Sequence, residues 1–182
     1  MDFEGVFQLL LGSFEKAKID AALIGGFALH SAGYTRMTTD IDFLIAKEDV
    51  PKVKVIMSAT GYELLHESED VSNFVSRLSG LGRVDFLHAH RHYTKAMLQR
   101  ATKQEILGGR FKVKVITPED LIGLKVQSSS NDPARYHQDM ADIEQTIRVN
   151  RDKLDMKLIE EYFNLFGRGD DLQKILEKLK HA

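Results

Sequence analysis

The sequence predicts an α/β (α+β) protein: a small mixed β-sheet flanked by helices over residues 1–116, followed by a C-terminal helical segment, 117–182, packed on it. Three observations predict this. Residues 21–45 run as a short apolar strand, a Gly25-Gly26 turn, a brief helix and a second strand carrying Asp40 and Asp42. Short segments of period-two alternation recur between residues 62 and 116, which is strand spacing. From Thr117 onward the spacing is helical, broken at Ser128–Asp132 and at Gly167-Arg168-Gly169.

The elements follow in order. Phe3, Val6, Phe7, Leu10, Leu11 and Phe14 fall on one helical face, so Met1–Lys18 is an amphipathic helix. Ala21–Ile24 is a strand and Phe27–Ala32 a short helix. Glu48–Thr60 is a helix with Pro51 in its first turn, where the missing N–H does no harm, and Gly61 ends it. Tyr62–Glu67 and Asn73–Ser79 are strands. In Gly82–His88, Val84, Phe86 and His88 alternate with Arg83, Asp85 and Leu87, marking a core strand. Tyr93–Arg100 is helical, and Glu105–Leu107 with Phe111–Ile116 form a hairpin about Gly108-Gly109. Thr117-Pro118-Glu119-Asp120 is a helix start: a capping hydroxyl, proline at the first position, acids in the first turn. Helices then cover Pro118–Ser128, Pro133–Asn150, Asp155–Leu165 and Asp170–Lys180.

Composition bounds what such a chain does. The 182 residues suffice for one sizeable core or an α/β domain with a helical appendage. A hydrophobic fraction of 43% and a charged fraction of 29% belong to an ordinary globular protein, not a disordered one. No stretch approaches the roughly 20 apolar residues of a membrane span. The acidic start lacks the basic region of a signal peptide, and the absence of cysteine removes disulfides, thiol nucleophiles and Cys-ligated zinc. A cytoplasmic setting without membrane association is expected. A net charge of −2 argues against nucleic-acid capture by the whole surface, while leaving room for a local basic patch.

The chemistry concentrates around Asp40 and Asp42. Residues i and i+2 of a strand share a face, so the two carboxylates stand side by side while Ile41, Phe43 and Ile45 turn towards a core. Adjacent carboxylates repel unless a cation lies between them, and a hard divalent metal prefers oxygen ligands. Asp85, on a later strand, supplies a third. Three such acids can hold two Mg²⁺ ions roughly 3.5–4 Å apart, as in two-metal phosphoryl transfer. The Gly25-Gly26 turn leads into a helix N-terminus, whose N–H groups and dipole favour phosphate. Arg36 brings a planar fork suited to phosphate oxygens, or is a surface arginine. Thr38 and Thr39 order the intervening loop.

The run G-G-F-A-L-H-S-A-G-Y-T-R-M-T-T-D-I-D, followed by V-D-F, resembles the polymerase-β-like nucleotidyltransferase superfamily. More narrowly, Arg36-x-Thr38-x-Asp40-Ile41-Asp42 looks like the AbiEii-type enzymes of abortive-infection and toxin–antitoxin pairs. Pro118–Lys125 and Arg135–Ile143 are similar to that group's L-x-x-x-K and R-x-x-x-D-x-x-D-I helices, so the resemblance covers residues 23–147. It implies a Mg²⁺-dependent transfer of an NMP from an NTP to a hydroxyl with release of pyrophosphate. The catalytic and metal residues would be Asp40, Asp42 and Asp85, with Mn²⁺ able to replace Mg²⁺. Gly25, Gly26, Arg36, Thr38 and Lys125 would lie on the nucleotide side, ATP among the candidate nucleotides. Asp139 would orient Lys125 or Arg135. Where many members carry Ser after the glycine, Phe27 stands here.

The implied acceptor is an RNA (tRNA) 3′ end or a protein hydroxyl, with a cognate toxin or antitoxin as partner. A small-molecule acceptor of the antibiotic type is the alternative, and a non-catalytic binding module on the same fold the other. Lys125 emerges beside its helix's apolar face, either snorkelling or reaching the triphosphate. Arg135–Asp139 is equally an ordinary i,i+4 pair. His88, His90 and His92, with Arg91, Lys95 and Arg100, read as a mildly basic surface that could touch RNA. Such an acceptor predicts a positive groove drawn from Arg77, Arg83, Arg91, Lys95, Arg100 and Lys103.

Overall fold

The computed structural model describes residues 1–78 and 80–180. The chain forms two compact units: one of Met1–Ser31 with Arg36–Ile116, the other of Ala32–Thr35 with Thr117 onward. The first is a mixed α/β unit. It opens with α1 (Phe3–Ala17), β1 (Ala21–Leu23), α2 (Gly25–Ser31), β2 (Asp40–Ala46) and α3 (Val50–Ala59). There follow β3 (Glu63–Glu67), β4 (Val71–Val75), β5 (Arg83–Ala89), α4 (His92–Arg100), β6 (Thr102–Ile106) and β7 (Phe111–Val115).

The strands form one seven-stranded sheet in the order β3-β4-β5-β2-β1-β7-β6. β2 runs antiparallel to β1 and parallel to β5, and the β2–β5 register sets Asp40 opposite Arg83, Ile41 opposite Val84 and Asp42 opposite Asp85. Alternation then sorts the side chains. Phe43 and Phe86 turn to one face and stack with ring centroids 5.7 Å apart. Phe14 of α1 meets both edge-on, at 5.5 and 6.1 Å, and Phe7 of α1 meets Phe43 at 6.3 Å. Burying each such ring stabilises the unit by about 1.5–3 kcal/mol, so this aromatic layer fixes the positions of β2 and β5. The carboxylates on the opposite face inherit that rigidity.

The second unit holds α5 (Pro118–Asn131), α6 (Tyr136–Asn150), α7 (Met156–Leu165) and α8 (Gly169–Lys180). Thr117 caps α5, its hydroxyl accepting from Asp120 N at 3.2 Å, and Asp155 caps α7. Ile122, Val126, Ile143, Ile147, Ile159, Phe163, Leu172, Ile175 and Leu179 make the core between these helices. No helix among the described residues is long and apolar enough to cross a membrane.

The mixed α/β class follows the sequence, and several boundaries differ for physical reasons. α2 begins at Gly25 and ends at Ser31, where Phe27–Ala32 was expected. α5 continues through the expected break at Ser128 as far as Asn131, and the Ser129 and Ser130 hydroxyls donate back to Val126 O at 3.0 and 2.8 Å. A short 3-10 turn, Pro133–Arg135, precedes α6. β6 starts at Thr102, earlier than the hairpin signal placed it. The strand expected over Asn73–Ser79 is β4, Val71–Val75, and Ser79 itself lies outside the described residues.

Candidate active site

The polar face of β2 and β5 gathers three carboxylates. One oxygen each from Asp40, Asp42 and Asp85 lies within 4.8 Å of the others, and all three residues are half-buried. The proximity is a product of register: Asp42 and Asp85 are direct partners on parallel strands, and Asp40 is two residues before Asp42. Asp40 and Asp85 are each held by an outer donor. The Thr38 hydroxyl donates to Asp40 Oδ1 at 3.0 Å, and Arg83 Nε donates to Asp85 Oδ1 at 2.8 Å. The Asp85 hydrogen bond raises the Arg83 guanidinium pKa, helped by the fields of Asp85, Asp40 and Asp42 and opposed by desolvation. Hard oxygen donors with excess negative charge are the donor set a divalent cation of the Mg²⁺ type requires.

The two glycines touch this group from above β1. Gly25 has φ +61°, and a Cβ there would sit 2.0 Å from Asp42 Oδ2. A Cβ on Gly26 would sit 2.6 Å from both Cβ and Oγ1 of Thr38, the residue that holds Asp40. Glycine is needed at both positions because backbone and carboxylate machinery are in contact. Ile24 N also donates to Asp42 O at 3.0 Å, tying the start of α2 to β2. Arg36, in the loop before β2, donates to Met37 O at 3.2 Å, while Met37 itself is 88% exposed.

The histidine run that begins at the end of β5 is differently employed. His88 is buried, with Nδ1 3.1 Å from Glu69 O and Nε2 3.0 Å from Ser72 Oγ. A carbonyl only accepts, so Nδ1 carries the proton and Nε2 accepts from the serine hydroxyl. Burial lowers the His88 pKa below its ordinary 6.5. His90 Nε2 meets Asp70 Oδ1 at 2.6 Å, and Arg91 lies 3.0 Å from the same oxygen. The expectation of a basic surface is therefore corrected in part: His88 is a core residue and His90 and Arg91 are paired to Asp70, while His92, Lys95 and Arg100 are exposed on α4.

Lys125 and Asp139 belong to the helical unit. Lys125 Nζ is buried between Asp139 Oδ1 at 3.1 Å and Asp142 Oδ2 at 2.6 Å, the three side chains being 6%, 1% and 0% exposed. Gln138 Nε2 donates to Asp142 Oδ1 at 3.0 Å, and Arg135 Nε approaches Asp139 Oδ2 at 3.4 Å. The i,i+3 spacing of the two acids on α6 brings both to one ammonium on α5.

Residues 4–178 match the protein family described as "Uncharacterised nucleotidyltransferase". The chain belongs to that family. This nucleotidyltransferase takes an NTP as substrate. No curated protein matches it. Among solved structures, the antibiotic-resistance factor ANT(2'')-Ia is similar, with a TM-score of 0.62 and 17% identity over 100% of this chain and 97% of that one. The lincosamide antibiotic adenylyltransferase LnuA, lincomycin-bound, aligns with a TM-score of 0.56 and 18% identity over 79% of this chain and 95% of that one. An antigenic nucleotidyltransferase-like protein from Paracoccidioides brasiliensis aligns with a TM-score of 0.56 and 20% identity over 97% and 92% of the two chains. At these identities the nucleotidyltransferase shares their fold.

The structure brings Gly25, Gly26, Thr38, Asp40, Asp42 and Asp85 of the nucleotidyltransferase to one place. It sets Lys125 and Asp139 together in the other unit. Sequence reasoning passed over the Arg83–Asp85 contact, although the i,i+2 spacing of an arginine and an aspartate on one strand was its signal.

Proposed function

We propose that this nucleotidyltransferase moves an NMP from an NTP onto a hydroxyl, with Asp40, Asp42 and Asp85 as the reacting face. The acceptor oxygen bonds to the α-phosphorus, the bond to the pyrophosphate oxygen breaks, and the hydroxyl proton leaves through Asp85 or to water. The observation that carries this is the convergence of three carboxylate oxygens within 4.8 Å on a rigid strand pair. The acids would hold Mg²⁺ as a two-ion site, with Mn²⁺ able to substitute. When bound, such ions lower the pKa of the attacking hydroxyl and stabilise the leaving pyrophosphate. The backbone N–H groups of Gly25 and Gly26 are assigned to the phosphates on the resemblance of their turn, Thr38 holds Asp40, and Arg36 is assigned to phosphate oxygens from the preceding loop. The resemblance implies a triphosphate contact for Lys125 oriented by Asp139; the side-chain contacts support a buried ion-pair network joining α5 to α6.

The favoured acceptor is a small-molecule hydroxyl, with ATP as donor. What supports it is the fold shared with ANT(2'')-Ia, solved in complex with adenylyl-2''-tobramycin, and with LnuA, an antibiotic adenylyltransferase. The second reading is an RNA (tRNA) 3′ end or a protein hydroxyl, within a toxin–antitoxin pair of the AbiEii type in the cytoplasm. It rests on the Arg36–Asp42 motif. A transfer assay with four α-labelled NTPs, Mg²⁺, and either cellular RNA and protein or a panel of hydroxylated small molecules separates them. Label in one acceptor class with wild type and none with Asp42→Asn is expected. Equal labelling by the two proteins would overturn the mechanism.

A further inference from the structure

The three carboxylates do not stand alone: Arg83 already bonds Asp85. Arg83 precedes Asp85 by two residues on β5, so the two side chains share the polar face, and register places Arg83 directly opposite Asp40 on β2. Its Nε donates to Asp85 Oδ1 at 2.8 Å, with the Arg83 side chain 47% and the Asp85 side chain 18% exposed. Register thus sets Asp40, Asp42, Asp85 and Arg83 as a square on the paired strands. Thr38 supplies a neutral donor to Asp40; Arg83 supplies a charged one to Asp85.

We propose that Arg83 is the resident counter-cation of the triad, a positioning residue that orients Asp85 before metal arrives and sets how readily a divalent cation enters. Two consequences follow from elementary electrostatics. A guanidinium bonded to one oxygen of Asp85 repels an incoming divalent ion and competes for its ligand, so metal alone binds weakly. The same bond fixes the Asp85 carboxylate on the polar face, so the site needs little rearrangement once the negative charge of a nucleotide triphosphate adds to the attraction. Arg83 thereby couples metal entry to nucleotide entry. The inference rests on the reading of the triad as a metal site.

Mn²⁺ titration by calorimetry, without nucleotide and then with a non-hydrolysable NTP, compares wild type with Arg83→Gln and Arg83→Lys. For a partly exposed pair, Arg83→Gln should tighten nucleotide-free Mn²⁺ binding about fivefold at low salt. That gain should shrink towards none at about 1 M ionic strength, where the Debye length falls to ~3 Å. Arg83→Lys, which keeps the charge, should stay near wild type. The enhancement of Mn²⁺ affinity by nucleotide should be smaller in Arg83→Gln than in wild type. Unchanged or weaker Mn²⁺ binding by Arg83→Gln, or Arg83→Lys behaving like Arg83→Gln, would overturn the role given to Arg83 while leaving the metal site standing. Wild type binding no Mn²⁺ with or without nucleotide would overturn the metal-site reading, and this inference with it.

Discussion

Two clusters of acids and bases lie in the two units, and they are built from the same chemistry to opposite ends. On β2 and β5, the half-buried carboxylates of Asp40, Asp42 and Asp85 converge, and Arg83 bonds Asp85. On α5 and α6, Lys125 lies between Asp139 and Asp142, almost wholly buried, and Arg135 and Gln138 complete the contacts. The helical cluster is closed: each carboxylate has at least two donors, and the ammonium spends its hydrogen bonds inside the protein. The strand cluster is open: its three carboxylates are only half-buried, with an oxygen of each within 4.8 Å of the others. A surplus of ligand oxygens on a rigid, accessible face suits an external cation. A balanced, dry network suits holding two helices in register.

The largest effect should separate the clusters by activity. Asp42→Asn keeps the side-chain volume and removes one charge from the open cluster. Losing a metal carboxylate should forfeit several kcal/mol of transition-state stabilisation, so transfer should fall about 10³-fold. Thermal unfolding should stay the same or move slightly upward, since carboxylate repulsion is relieved. A variant with near-normal turnover would erase the distinction between the clusters.

Lys125→Met should do the reverse. Removing the ammonium leaves two buried carboxylates uncompensated, which costs about 3–5 kcal/mol of stability. Urea unfolding of the helical unit measures this directly. Should the midpoint stay in place while KM for NTP rises steeply, Lys125 would be spending its charge on the triphosphate rather than on Asp139 and Asp142.

Gly25→Ala probes the contact between backbone and open cluster. A left-handed φ of +61° costs a residue with a Cβ about 1–2 kcal/mol. The new methyl must also displace the Asp42 carboxylate, whose Oδ2 lies 2.0 Å from its position. Mn²⁺ affinity and transfer should both drop about tenfold, on the scale of roughly 1.4 kcal/mol per decade, with only a modest loss of stability. Full activity would show that Asp42 has room to move.

Period-two alternation made the two faces of β2 and β5 legible: Ile41, Phe43 and Ile45 on one, Asp40 and Asp42 on the other, with Val84, Phe86 and His88 against Arg83 and Asp85. What alternation does not contain is pairing. That Asp42 stands beside Asp85 follows from parallel register between strands more than 40 residues apart in sequence, a non-local choice made by the aromatic layer beneath. The glycines were legible as special positions, but the crowding against Asp42 and Thr38 that demands them is a tertiary contact. Ser128–Ser130 read as a break because serine competes for backbone hydrogen bonds; here the hydroxyls of Ser129 and Ser130 fold back onto Val126 O and the helix runs on. His88 shared the phase of Val84 and Phe86, and that phase, not its polarity, decided its burial.

The smallest effect concerns His88, a third polar group that is fully partnered, like the helical cluster, yet sits on the same strand as Asp85. Burial holds it neutral, with a folded-state pKa below the ordinary 6.5. As pH falls through 6.5 the unfolded chain takes up this proton first, so the unfolded state binds more protons than the folded one. Stability contributed by neutral His88 is therefore complete above 6.5 and is lost progressively as pH falls towards the lowered folded value. Protonation would also turn Nε2 from acceptor to donor against Ser72. Urea midpoints measured from pH 8 to pH 5 should fall for wild type on the acid side, and the slope should be shallower in His88→Gln, whose side chain does not titrate. A fall of equal slope in both proteins would assign the acid limb to groups other than His88; Asp70, held below its ordinary 3.8 by the His90 hydrogen bond, loses its contribution only below about pH 5.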